Sequence, residues 1–131
     1  MYLMACRASY NMRRSMPSVN DFRRMALGCE GAIESAHMGH PDFRANGRIF
    51  ATIQHDAQWG MVKLTPEQQQ RFVGDDSDSF KPAAGAWGAG GSTLVHFASV
   101  YIEALGEALT LAWQSTAKTR NVKRKTKKGK R

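Results

Sequence analysis

Cysteine is scarce in this chain, with only Cys6 and Cys29 present. Two cysteines cannot build a disulfide framework, and with no C-x-x-C pair a reducing compartment is the expected setting. Long apolar runs are missing too. No stretch approaches the roughly 18 apolar residues of a membrane span, and residues 1–6 are too short for a signal-peptide core, so neither insertion nor export is expected and the cytoplasm is the expected location. Acidic residues are absent from both ends. Residues 1–16 carry Arg7, Arg13 and Arg14 with no acid, and residues 118–131 carry nine Lys or Arg with no acid. Between Pro17 and Ala117 seven cations face all eleven acids, which makes the body −4 within a chain whose formal net charge is +8. The positive charge therefore belongs to the two ends, and it does not describe a basic folded surface.

What is present is ordinary globular material: 131 residues, 42% apolar and 23% charged. That length and composition fit one folded domain. The first twenty residues are acid-free and contain three Arg and three Ser, which is also the composition of a mitochondrial transit peptide. The plainer reading is an irregular extension over 1–16.

Ser18-Val19-Asn20-Asp21 has the spacing of a capping box, so a helix is expected over 18–27, with Val19, Phe22, Met25 and Ala26 on its apolar side and Gly28 as a left-handed stop. From Ile33 to Leu64, short apolar runs broken by turn residues read as strands. Asn46-Gly47 tolerates the positive φ of a type I′ turn, which predicts a hairpin between Phe43-Arg44-Ala45 and Arg48 to Ile53. Trp59 to Leu64 reads as the next strand. Thr65-Pro66-Glu67-Gln68 starts a second helix, over 65–73, with Thr as cap and Pro at the first position. A Gly-rich connection, in which Trp87 is expected to fold back on the domain, leads to a strand over 93–98. Ile102, Leu105, Leu109 and Trp113 then stripe a last helix over 100–117. Residues 118–131, with Val122 as their one apolar residue, are expected to form a disordered polybasic tail.

Three further stretches carry a resemblance: His40-Pro41-Asp42-Phe43-Arg44; Gly47 to Thr52; and Trp59-Gly60-Met61-Val62-Lys63-Leu64-Thr65-Pro66-Glu67-Gln68-Gln69. With Pro82, Gly85-Ala86-Trp87-Gly88 and Ala112-Trp113 in the same order, residues 17–117 resemble the MmcQ/YjbR-like family. The resemblance implies an α+β domain, a two-layer antiparallel sheet with α-β(3)-α-β(2)-α order, and a family label of DNA-binding protein that rests on fold similarity to a double-wing arrangement. Such proteins usually begin near this first helix, which makes Met16 a candidate start, and they usually stop soon after the last helix. The polybasic extension departs from that pattern.

Several constellations compete with plainer readings. His37-x-x-His40-x-Asp42 offers two imidazoles and a carboxylate, but it lacks a complete ligand set, so no metal is expected. The glycines of 85–91 run into a strand, whereas a phosphate loop opens a helix. No nucleophile with an adjacent base can be assembled, Cys29 stands beside Glu30, and Asp42 and Asp56 form an acid/base pair only if the fold joins them. No cofactor and no enzymatic activity are therefore expected. Trp59, Trp87 and Trp113, with Phe43 and Phe50, include either core aromatics or a stacking platform for bases.

The cations carry the functional expectation. Lys118, Arg120, Lys123, Arg124, Lys125, Lys127, Lys128, Lys130 and Arg131 form a cationic arm. Arg44, Arg48 and Lys63 on neighbouring strands are the body cations able to face a phosphate. The expected role is non-enzymatic binding of nucleic acid, DNA before RNA, by contacts largely indifferent to sequence. The alternative is a domain that recognises a protein or small ligand, its tail serving only solubility or targeting.

Overall fold

The computed structural model describes residues 17–130 apart from Met38 and His55, and for His37 and 118–130 it describes the backbone alone. The expected extension over 1–16 lies outside the described residues. Helix α1, Val19–Leu27, starts at a complete capping box: the Ser18 hydroxyl accepts from the Asp21 amide at 3.2 Å, and the Asp21 carboxylate accepts from the Ser18 amide at 2.9 Å. Its Phe22, Met25 and Ala26 are buried. Gly28 departs from expectation. It stays right-handed at φ −75°, and the chain turns instead at Gly31, where φ is +77°.

Four strands follow: β1 Ile33–His37, β2 His40–Ala45, β3 Arg48–Ile53 and β4 Trp59–Lys63. The resemblance implied three before the second helix; the extra one, β1, is a hairpin partner of β2, in register from Ile33 with Arg44 to His37 with His40. The Asn46-Gly47 turn has φ of +54° and +76°, as a type I′ turn requires. In β3, Ala51 pairs with Phe43 and Ile49 with Arg44, so Phe50 is an extra residue opposite no partner. That bulge lets Phe50 and Ala51, adjacent in sequence, both be fully buried.

Helix α2, Pro66–Asp75, has the predicted Thr65 cap and Gln68 return bond. Strand β5, Phe80–Pro82, precedes a five-residue helix α3, Gly85–Ala89, where a connection alone was expected. Strand β6, Ser92–His96, then enters the sheet between β4 and β5, giving the order β1-β2-β3-β4-β6-β5 with every pair antiparallel. Pro82 sits on the edge strand, where its missing amide costs no ladder bond.

The register separates two faces. Phe43, Ala51, Val62 and Thr93 are aligned neighbours and all buried. They lie under α1, α2 and α4, with α4 crossing β3 and β4. Gly60 is needed there, since a Cβ would stand 2.9 Å from the Phe22 ring. The opposite face carries Thr52, Met61, Leu94 and Lys81 in line, none of them buried, with no long helix packed over them. This is the expected two-layer α+β architecture.

Helix α4, Ile102–Lys130, buries Ile102, Leu105, Ala108, Leu109, Ala112 and Thr116 along one stripe. Its packing ends where the sequence places the domain boundary, and its helical backbone runs on to Lys130. Lys and Arg are good helix formers and no proline interrupts 118–130, so helix can propagate beyond the last packed turn. The expected disorder of 118–131 concerns side chains outside the described residues.

Candidate functional site

The type I′ turn places Arg44 and Arg48 on either side of one hairpin tip, and antiparallel pairing of β3 with β4 brings Lys63 to the same end of the sheet. The three cations line one cleft of about 610 Å³, together with Gly47, Thr65, Ser115 and Thr116. The cleft walls are tied together. Asn46 Nδ2 donates to Thr116 Oγ1 at 2.9 Å, and that hydroxyl donates to the Trp113 carbonyl at 2.7 Å. The hairpin tip is thus fixed to α4 at its last described buried residue, Thr116.

The cations differ in their partners. Arg44 is held by Asp42 through two bonds, Nε to Oδ1 at 2.9 Å and Nη2 to Oδ2 at 3.2 Å, as i and i+2 on one strand face permit. The hydrogen bonds that Arg44 donates to Asp42, then the Asp42 charge, raise the Arg44 pKa above the ordinary arginine value, against an opposing effect of burial. The described ion pairs are Arg23–Glu34, Arg24–Asp21, Arg44–Asp42 and Arg71–Glu107. No described carboxylate therefore offsets Arg48 or Lys63 within 4.0 Å. Beyond Thr116, α4 continues directly into the segment from Lys118 to Lys130. At about 1.5 Å per residue its backbone carries that run of cations some 20 Å away from the cleft.

The aromatics divide between the two faces. Phe43 and Phe50 are core residues with no exposure. Trp113 is half-buried and donates its Nε1 to the Glu30 carbonyl at 2.8 Å. Trp59 lies on the open face, stacked on His96 at 4.3 Å and covered by Lys81 Nζ at 4.7 Å. Trp87 corrects the sequence expectation. It does not fold back on the domain: it is 64% exposed on α3, with Lys63 Nζ 5.0 Å from its ring centre. A second pocket, about 270 Å³, is lined by Trp87, Ala86 and Ser92 and shares Lys63, Leu64 and Gly90 with the cationic cleft.

The backbone beneath Trp87 is held tightly. Buried Gln69 of α2 donates its Nε2 to the carbonyls of Gly88 at 3.0 Å and Ser92 at 2.9 Å. A Cβ on Gly88 would run into the Ala83 carbonyl, and one on Gly91, at φ +115°, into that of Leu64. Gln69 closes the third stretch that carries the family resemblance, but no chemistry was assigned to it there. The other signal is its place one residue past the Thr65-Gln68 box.

The remaining candidates are not brought together. His37 and His40 are cross-strand neighbours and Asp42 is occupied by Arg44. Among the described residues no group of three or more His, Cys, Asp or Glu is placed to hold a metal ion. Asp56 accepts from the Gln58 amide at 3.1 Å in the β3–β4 turn, so it and Asp42 are each engaged separately. Cys29 is buried and disulfide-bonded. No described helix is long and apolar enough to cross a membrane.

No family model matches the chain, and no curated protein matches it significantly. Among solved structures, it is similar to the crystal structure of the Deinococcus radiodurans protein DR2400, a DUF419 domain. The two share 21% identity over 72% of this chain and 74% of that one, with a TM-score of 0.60. DUF419 is related to the MmcQ/YjbR family. At that identity the likeness shows the fold.

Proposed function

We propose that this chain is a non-enzymatic nucleic-acid-binding protein of the MmcQ/YjbR-like type, gripping phosphates through its cationic helical extension and the cleft at that extension's root. One observation carries the reading: Arg44, Arg48 and Lys63 converge on a single cleft, and α4 passes that cleft immediately before the chain's run of nine Lys and Arg begins. The body is net acidic, so it repels a polyanion except where those cations collect. Phosphate contacts of this kind position a nucleic acid and carry no base code, which makes binding largely indifferent to duplex sequence.

Titration with duplex DNA at several salt concentrations tests the reading. If about five to seven cations meet phosphates, log affinity for the duplex falls against log salt with a slope between roughly −4.5 and −6. Neutralising Lys123, Arg124, Lys125, Lys127 and Lys128 together to Gln should flatten most of that slope, and Arg48→Gln with Lys63→Gln should remove about 1.5 to 2 of it. Salt-independent binding, or no binding by the whole chain, sinks the proposal.

A further inference from the structure

Trp87 presents a large apolar ring to solvent, 64% exposed. The helix that carries it is only five residues long and has no side-chain cap, and neither Gly88 within it nor Gly91 just after it tolerates a side chain. It is pinned from beneath by Gln69. A rigid mount therefore displays an exposed ring. One side of that ring meets the Lys63 ammonium, and Lys63 also lines the cleft of Arg44 and Arg48, so the aromatic surface and the phosphate-sized cationic surface are continuous. The other tryptophan of this face lacks that opening, because His96 and Lys81 already contact the Trp59 ring.

We infer that Trp87 stacks an unpaired base of a single-stranded nucleic acid whose adjoining phosphates lie on Lys63 and Arg48. This rests on the nucleic-acid reading above and narrows its substrate. In a duplex each base face is covered by its neighbour, so a flat ring beside a phosphate site gains nothing there. In a single strand every base has a free face, and stacking on an aromatic contributes about 1–3 kcal/mol per base. The cleft and the pocket are open to solvent and do not enclose a base, which suits sequence-tolerant stacking.

The test uses the full chain with a labelled oligothymidine of about 12 nucleotides and a two-stranded, loop-free duplex of matching phosphate count. Trp87→Ala should weaken oligothymidine binding by about 5- to 150-fold while changing duplex binding less than twofold. Trp87→Phe should recover most of the loss, and Trp87 fluorescence should be quenched as oligothymidine binds. Lys81→Gln, which removes one cation remote from the cleft, should leave the preference for single strands unchanged. Equal weakening of both ligands by Trp87→Ala, or no weakening of either, overturns the inference and leaves the phosphate reading intact. Failure of the parent chain to bind either ligand overturns both. Circular dichroism establishes that the variants stay folded, as expected for a side chain so exposed.

Discussion

Gln69 is the clearest place to test the packing logic, because its two hydrogen bonds and its neighbours' alternatives are all defined. The side chain is 8% exposed and donates to Gly88 and Ser92. Neither carbonyl depends on it alone: Gly88 also accepts from the Gly91 amide at 3.0 Å, and Ser92 from the Ala83 amide at 2.9 Å. Replacing Gln69 by Leu therefore removes two bonds of about 1 kcal/mol each without orphaning an acceptor, and it returns part of that through added apolar burial. The net cost should be about 1–2 kcal/mol, a fall in melting midpoint of roughly 3–10 °C. Gln69→Glu is nearly isosteric, yet its ionised carboxylate cannot donate and faces two carbonyl oxygens, so it should cost about 3 kcal/mol or more. Burial beside those oxygens would raise the folded-state pKa of the introduced acid above its unfolded value. The folded state then holds more protons, so this variant should gain stability relative to the parent as pH falls through the folded pKa toward about 4.3, with the penalty fully present above it. Urea melts of the three proteins at neutral and mildly acidic pH supply the measurement. A glutamate variant as stable as the leucine one at neutral pH would refute the assignment of Gln69 as a double donor.

Gly47→Val should destabilise the protein by about 1–3 kcal/mol, since a β-branched residue is strained at φ +76°; an unchanged urea midpoint counts against the turn. Gly60→Ala forces a Cβ within 2.9 Å of Phe22 and should cost about 1–3 kcal/mol by calorimetry, relieved in part by the smaller Phe22→Leu in the double variant. Truncation after Ala117 leaves every described buried residue of α4 in place. The melting midpoint should therefore move by less than about 3 °C while most salt-sensitive DNA affinity is lost. Substituting His37 or His40 by Ala should leave bound metal unchanged by elemental analysis, and stoichiometric zinc lost on either change would contradict the ligand count.

The features legible in the sequence are those built from neighbours in the chain. Ser18 with Asp21, Thr65 with Gln68 and Asn46 with Gly47 each close bonds or turns within four residues, so the residues that specify them stand together. The cleft was half legible, because strand alternation and a two-residue turn place Arg44, Arg48 and Lys63 at one sheet end without further information. Helix α3 was not legible: glycine is a poor helix former, and Ala84 at its N-cap offers no side-chain acceptor. Its anchor, Gln69, lies 19 and 23 residues from its partners. The fate of Trp87 follows from that anchor, and no local pattern encodes it. The meeting of Lys81 with Trp59 was hidden for a similar reason, since it depends on β6 entering between their strands.

That insertion of β6 governs how the chain can emerge from a ribosome. Strands β1 to β4 form a simple meander and can pair as they appear. β5 arrives next with nothing to pair to, because its only neighbour in the sheet is β6, which is synthesised after it. Until Ser92–His96 follows, about 30 residues after β4, the unpaired edge of β4 stays open for some 2–6 s at ordinary synthesis rates. An open edge of that kind is a template for wrong partners. The nascent protein is thus most vulnerable to intermolecular pairing in a brief window that closes when its last strand slots into place.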